Sequence, residues 1–317
     1  MKIPLITLGL TTFNSGKYLH LALNSIHDQD WHALEIIVVD DASTDNTLEL
    51  LEDFSKKKQI TIFRNKINSG VAVCRNKIIA EANGEFLVFF DDDDISLSNR
   101  ITQQYERIKS YEEKFAKGAP VICHTARRMI YPNGHILFQP TVGMNENSLA
   151  PNGIYYLRRI LMGGYLKNSN GSCATCSQMA RLSTYHLVGG FDPNLRRGED
   201  TDLVLKLSSM GAHFIGIKTP LVIQKMTFTL DKNLKQELDI FGYLINKHEY
   251  LIKKYCNYDF IVKFYDVRKN WFNKKSWLFI KNIILLFFIY PRLTSLRIIF
   301  LLPNYLKNYY FRHFMNK

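Results

Sequence analysis

Cysteine is scarce. Five occur in 317 residues (Cys74, Cys123, Cys173, Cys176 and Cys256), an odd number and mostly isolated. That excludes a disulfide framework and predicts a reducing, cytoplasmic setting. A basic N-terminal segment followed by an apolar run and a small-residue cleavage site is also missing. "MKIPLITLGLTTFN" reads instead as a first β-strand. No GxxxxGK[ST] occurs, and no GxGxxG follows a strand, which disfavours a P-loop NTPase and a dinucleotide-binding Rossmann domain. There is no internal repeat and no low-complexity tract. A bilayer span needs about 20 apolar residues. "WLFIKNIILLFFIY" is interrupted by Lys281 and Asn282, and "LRIIFLLP" is shorter still. Acidic residues stop at Asp266, while ten basic residues follow it. Most of the net charge of +12 therefore belongs to the C-terminal tail.

The remaining composition, 46% hydrophobic and 22% charged, is that of an ordinary globular chain. In the first half, strand-like and helix-like segments alternate. "PLITLGLTT", "LEIIVVDD", "QITIFRN" and "EFLVFFDD" are short apolar runs, separated by segments with apolar residues at helical spacing. Continuous apolar strands between helices predict a mostly parallel sheet with both faces covered. Ligands of such sheets bind beyond the carboxyl ends of the strands. Three ends are polar or acidic here: Thr11-Thr12 with Asn14, Asp40-Asp41, and Asp91 to Asp94. The expected site is acidic. A helix and a strand follow Asn99, residues 139–169 read as irregular, and "RRGEDTDLVLKLSSMG" reads as a helix opening on acids.

Four consecutive carboxylates repel one another and raise each other's pKa. Strand alternation would place Asp91 and Asp93 on one side. Grouped oxygen ligands suit Mg²⁺ or Mn²⁺, which one or two carboxylates hold together with substrate phosphates. Each Asp alone is equally well explained as a cap of the next turn. The cluster is not, because Asp40-Asp41 should lie beside it.

These motifs together resemble family-2 glycosyltransferases of GT-A fold. The resemblance rests on "LTTFNSGKYL", "IIVVDDASTDNT", "NSGVAVCRNKIIAEANGEFLVFFDDDD" and "GGFDPNLRRGEDTDLVLKL", in order across residues 3–225. It implies that Thr11 and Phe13 contact the nucleobase. The family often has Tyr at the Phe13 position and Pro at the Thr11 position. It further implies that Asp41 meets the base edge, Arg75 lies near the diphosphate, and Asp92 meets the ribose. Asp93, with Asp91, would hold Mn²⁺ or Mg²⁺, and Asp94 would belong to the turn. Asp200 matches the catalytic base, with Glu199 beside it. Acids opening a helix are also favoured by its dipole, and Asp202 reads as structural.

The implied activity is metal-dependent, inverting transfer of a sugar from a nucleotide-diphosphate sugar, a UDP-sugar, to a glycan or lipid-linked acceptor in cell-surface polysaccharide synthesis. Alternatives are a polyprenyl-phosphate sugar transferase of the same fold and an inactive membrane-bound scaffold that retains nucleotide affinity. The expected organisation is a catalytic α/β domain, residues 1–225, and a helical region, residues 226–317. Basic residues flanking the apolar runs of that region fit helices lying in a membrane interface, so the enzyme is expected as a peripheral protein on the inner face of the cell membrane. Packing of "IILLFFI" as ordinary core is the rival reading. Charge alone would allow nucleic acid, but no recognised binding motif is present, and none is expected as a partner. Cys173 and Cys176 form a lone CxxC, a weak zinc signal. His124, His186 and His213 read as core residues, and Lys56 to Lys58 as a solvated helix end.

Overall fold

The computed structural model describes residues 3–226 and 234–314. Lys317 of the basic tail lies outside them, as do the side chains of Lys307 and Arg312. The chain divides into two compact units, residues 1–153 with 168–226, and residues 154–167 with 227–317.

The first unit runs β1 (Ile6–Thr12), α1 (Leu19–His27), β2 (Leu34–Asp40), α2 (Thr47–Ser55), β3 (Thr61–Arg64), α3 (Val71–Glu81), β4 (Phe86–Asp91), β5 (Asp94–Ser96), α4 (Arg100–Tyr111), β6 (Val121–Ile130) and β7 (Ile136–Gln139). After α5 (Gly153–Met162) it continues with β8 (Gln178–Arg181), α6 (Leu182–Leu187), α7 (Glu199–Ser209) and β9 (His213–Lys225). The strands form one sheet in the order β3-β2-β1-β4-β8-β6-β9-β5, with β7 paired to β6.

From β3 to β4 every pairing is parallel, as the apolar runs predict. Beyond β4 the sheet is mixed, because β8 runs antiparallel to both β4 and β6. All seven residues of β1 are buried, and five of six in β4. The core is built from Ile6, Leu8, Leu10, Phe86, Val88 and Phe90 of these strands, with Leu19, Leu23 and Ile26 of α1 packed on them. Gly9 is needed in β1, since a Cβ there would come within 2.6 Å of Ile78 on α3. The strand order reverses direction between β1 and β4. That switch point is where doubly wound sheets open a crevice. Thr11 of β1 lies in register with Asp91 of β4, and Thr12 with Asp40 of β2.

Two local expectations change. Asp92 and Asp93 form a turn, but Asp94 does not belong to it: it opens β5, paired with Gln224 of β9, and is buried. Residues 153–162, read as irregular, form α5. "GIYYLRRILM" does carry a helical apolar pattern, masked by the Pro and Gly before it.

The second unit is helical. Besides the segment 154–167 it contains α8 (Leu234–Lys247), α9 (Glu249–Tyr255), α10 (Tyr258–Phe272), α11 (Ser276–Ile289) and α12 (Pro291–Phe314). Asn257 caps α10 by accepting the Phe260 N–H at 2.9 Å. Its core includes Ile252, Phe260, Ile261, Phe264 and Leu286. Leu286 is the buried residue of α11, whereas Trp277 and Phe288 are 74% and 81% exposed, and Ile280, Ile284, Leu285 and Ile289 are exposed too. Among the described residues no helix is long and apolar enough to cross a membrane.

Candidate active site

A cleft of about 480 Å³ opens beyond the carboxyl ends of β1, β2 and β4. All eight residues singled out in the sequence line it: Thr11, Phe13, Asp41, Arg75, Asp91, Asp92, Asp93 and Asp200. Parallel pairing explains the convergence, because β1, β2 and β4 end level with one another.

Each carboxylate has a different environment. Asp41 is buried, and its oxygens accept from Asn65 Nδ2 (2.8 Å), Ser69 N (2.8 Å) and Gly70 N (2.7 Å). It thereby ties the end of β2 to the start of α3. Asp92 accepts from the Phe13 N–H at 3.1 Å and from the Ser15 hydroxyl. Burial pushes its carboxyl up despite these bonds. The contact orients Phe13, whose ring is 44% exposed and free to stack on a flat ligand.

Arg75 is 4% exposed and bridges two elements. Its guanidinium donates to Asp91 Oδ1 (3.1 Å) and to Glu199 Oε1 (2.8 Å). Phe89 and Phe191 lie against it, with ring centroids 5.9 and 5.4 Å away. Glu199, beside the proposed base, is therefore spent on Arg75. Burial pushes its carboxyl up while the guanidinium pulls it down, and the net direction is upward. Asp200 stands in the first turn of α7 and accepts from the Thr201 N–H at 2.6 Å. Gly198, at φ +73°, makes the left-handed step that starts this helix. Asp202 points inward, fully buried, with Lys206 at 3.6 Å.

Behind the cleft wall, Asp94 Oδ1 is buried without a hydrogen-bond partner. Burial raises the Asp94 carboxyl well above its usual range, and the charges of Asp91 and Asp93 add to this. Ligand atoms of Asp91, Asp94 and Cys176 lie within 4.8 Å of one another. Asp91 and Asp93 offer carboxylate oxygens to the cleft, a donor set that fits a hard dication.

Sequence reading missed three cations. Arg100 is fully buried under the acidic turn and donates to Phe89 O (2.9 Å), Ser96 Oγ (2.8 Å) and Gln104 Oε1 (3.0 Å). Burial lowers its pKa to about 10. Nothing in the run "SNRITQQ" marks that arginine as buried. Arg196 and Arg197 line the cleft as well. Their signal was legible as the pair immediately before "GED". Of the histidines, His124 is buried and His213 hydrogen-bonds the Tyr111 hydroxyl at 2.8 Å, while His186 is exposed.

The family model of "Glycosyl transferase family 2" matches residues 7–179, more than half of the chain. The chain belongs to glycosyl transferase family 2. Among relatives of this family 2 chain, a putative teichuronic acid biosynthesis glycosyltransferase, TuaG of Bacillus subtilis, is 34% identical over 104 residues, covering 32% of this chain and 41% of TuaG. The poly(ribitol-phosphate) beta-N-acetylglucosaminyltransferase TarS of Staphylococcus aureus is 41% identical over 86 residues, 26% of this chain and 15% of TarS. The matches thus span well under half the length of these curated relatives. The crystal structure of S. aureus TarS 1-349 in complex with UDP-GlcNAc superposes with a TM-score of 0.64 at 17% identity, covering 92% of this chain and 83% of that one. At that identity the likeness establishes the fold, which is GT-A.

Proposed function

We propose that this family 2 protein is an inverting glycosyltransferase that moves a sugar from a nucleotide-diphosphate sugar, a UDP-sugar, onto a glycan or lipid-linked acceptor of a cell-surface polysaccharide. The observation that carries this reading is the meeting of Asp41, Asp91 to Asp93 and Asp200 in one cleft, although up to 159 positions separate them. The nucleobase stacks on Phe13 and its edge meets Asp41. Asp92, already anchored to the first loop, faces the ribose.

Asp200 accepts the proton of an acceptor hydroxyl as its oxygen bonds to the anomeric carbon. The bond from that carbon to the diphosphate breaks, and the nucleotide diphosphate leaves from the opposite face. Asp93, with Asp91, would hold Mn²⁺ or Mg²⁺, whose charge stabilises the leaving diphosphate. Arg75 fixes Asp91 relative to Glu199, and so relates the donor side of the cleft to the helix bearing the base.

The setting we propose is the inner face of the cell membrane. The uncovered apolar face of α11 supports this, because its rival, packing as core, leaves eight large apolar residues of one short helix exposed (Trp277, Leu278, Ile280, Ile284, Leu285, Phe287, Phe288 and Ile289). Lys269, Lys274, Lys275, Lys281 and Arg292 lie on or beside that helix, and no acid follows Asp266. Anionic lipid attracts such residues by about 1 kcal/mol each.

The test is release of free nucleotide from a panel of nucleotide sugars with Mn²⁺ or Mg²⁺, with and without lipid-linked acceptors. Asp200→Asn should abolish transfer and spare nucleotide binding, and Asp93→Ala should weaken metal-dependent binding. Wild-type turnover by Asp200→Asn would refute the assignment of the base.

A further inference from the structure

Six carboxylates line the cleft (Asp41, Asp91, Asp92, Asp93, Glu199 and Asp200), against three guanidiniums (Arg75, Arg196 and Arg197). Two of the three are already committed. Arg75 pairs with Asp91 and Glu199, and its unpaired Nε–H is itself buried. Arg196 donates to Asn68 Oδ1 (2.8 Å) and to the Asn68 carbonyl (3.0 Å), pinning the loop before α7 to the loop before α3. Arg197 remains. It is half-buried, lines the cleft, and has no hydrogen-bond or ion-pair partner among the described residues.

A half-buried guanidinium costs solvation that some partner should return. Its own cleft is acidic, yet neither Glu199 nor Asp200 pairs with it. The nearby backbone is held on both sides, by the Arg196 clamp before it and by Gly198 with α7 after it. A cation kept in place with unspent, planar donors is suited to bidentate recognition of an oxyanion.

Two oxyanions could enter: the diphosphate of the donor, or a group on the acceptor. The groups proposed for the donor (Asp41, Asp92 and Asp93) come from the strand ends and the turn after β4. Arg197 comes from the segment that carries Asp200, three residues from the proposed base. We infer that Arg197 selects acceptors bearing an oxyanion, a carboxylate or a phosphate, next to the hydroxyl that is glycosylated. This rests on the glycosyltransferase reading above and names the acceptor class for the same cleft.

The test compares wild type with Arg197→Gln and Arg197→Lys. Acceptors are neutral methyl glycosides, the matching uronic acids and the matching phosphomonoesters, with whichever nucleotide sugar wild type turns over. Wild type should prefer one of the anionic sets, and which one tells carboxylate from phosphate. Arg197→Gln should lose that preference by about tenfold to hundredfold in kcat/KM, through KM, the loss expected of a charge-assisted bidentate contact. Arg197→Lys, a point charge, should recover part of it.

UDP affinity, measured by calorimetry with Mn²⁺, should be unchanged in both variants. A preference for neutral acceptors in wild type would overturn the inference. So would an anionic preference that survives Arg197→Gln, or a tenfold loss of UDP affinity in that variant. Calorimetric binding of the same uronic acids and phosphomonoesters to the UDP-loaded protein needs no turnover. It therefore judges Arg197 even if no nucleotide sugar is consumed, which would sink only the transferase reading. Weaker anion binding by Arg197→Gln supports the inference, and equal binding overturns it.

Discussion

Replacing Arg75 by Met tests whether one side chain joins the two acidic halves of the cleft. Its guanidinium makes charge-assisted hydrogen bonds to Asp91 and Glu199. The Arg75, Glu199 and Asp91 side chains are 5%, 13% and 27% exposed. Losing a buried partner costs about 3–5 kcal/mol, largely because the other charge stays buried. Asp91 is the more solvated and recovers part of its share in water, so the expected loss is about 3 kcal/mol.

The deficit should also depend on pH. Burial already raises the Glu199 carboxyl, and without Arg75 it rises further. A carboxyl raised in the folded state holds a proton that the unfolded chain releases. Stability then falls as pH rises from the unfolded value of about 4.3 through the raised one. Arg75→Met should therefore be destabilised less at pH 5 than at pH 8. The assay is urea unfolding followed by Trp31, which packs on Tyr105 in the first unit, with Trp271 and Trp277 replaced by Phe. Adding Glu199→Gln to Arg75→Met should recover part of the loss. A cost below about 1 kcal/mol, or equal costs at the two pH values, would refute the bridging role.

Asp41→Ala leaves the Asn65, Ser69 and Gly70 donors without their acceptor; we expect a loss of about 3 kcal/mol in urea unfolding, together with weaker UDP binding. His124 is fully buried, and burial lowers its pKa from 6.5 to about 3, so the unfolded chain takes up a proton that the folded one refuses. Stability from this group is intact above pH 6.5 and lost on acidification, about 2 kcal/mol by pH 5; His124→Gln should remove that slope from urea midpoints measured at both pH values. Sedimentation with anionic vesicles should pull down the protein at about 0.05 M salt and much less at about 0.5 M. Trp277→Ser with Phe288→Ser should weaken that binding at least tenfold at low salt, and binding indifferent to both changes would remove α11 from the interface.

Legibility varied with how local the cause was. β1, β2 and β4 are continuous apolar runs ending in polar groups, and that pattern needs no partner to be read. β5 was hidden because three residues acquire strand character only by pairing with β9. The antiparallel entry of β8 was equally invisible, since "QMAR" does not encode a direction. In the cleft, the types of Asp41, Asp93 and Asp200 were legible, but their ties were not. Arg75 was expected beside the diphosphate, and its pairing with Asp91 and Glu199 was not legible along the chain.

By itself the sequence determined the alternating α/β organisation, the acidic strand ends and the basic, acid-free tail, because period and charge are properties of neighbours along the chain. Only the tertiary structure decided how the carboxylates differ. Asp41 is taken up by three donors, Asp92 anchors the first loop, and Asp94 is withdrawn into β5. Which cation meets which acid depends on residues far apart in the chain, such as Arg75 and Glu199, and Coulomb energy falls with distance through space. That is also why Arg197, one of 41 basic residues, gained meaning only when the cleft showed it without a partner.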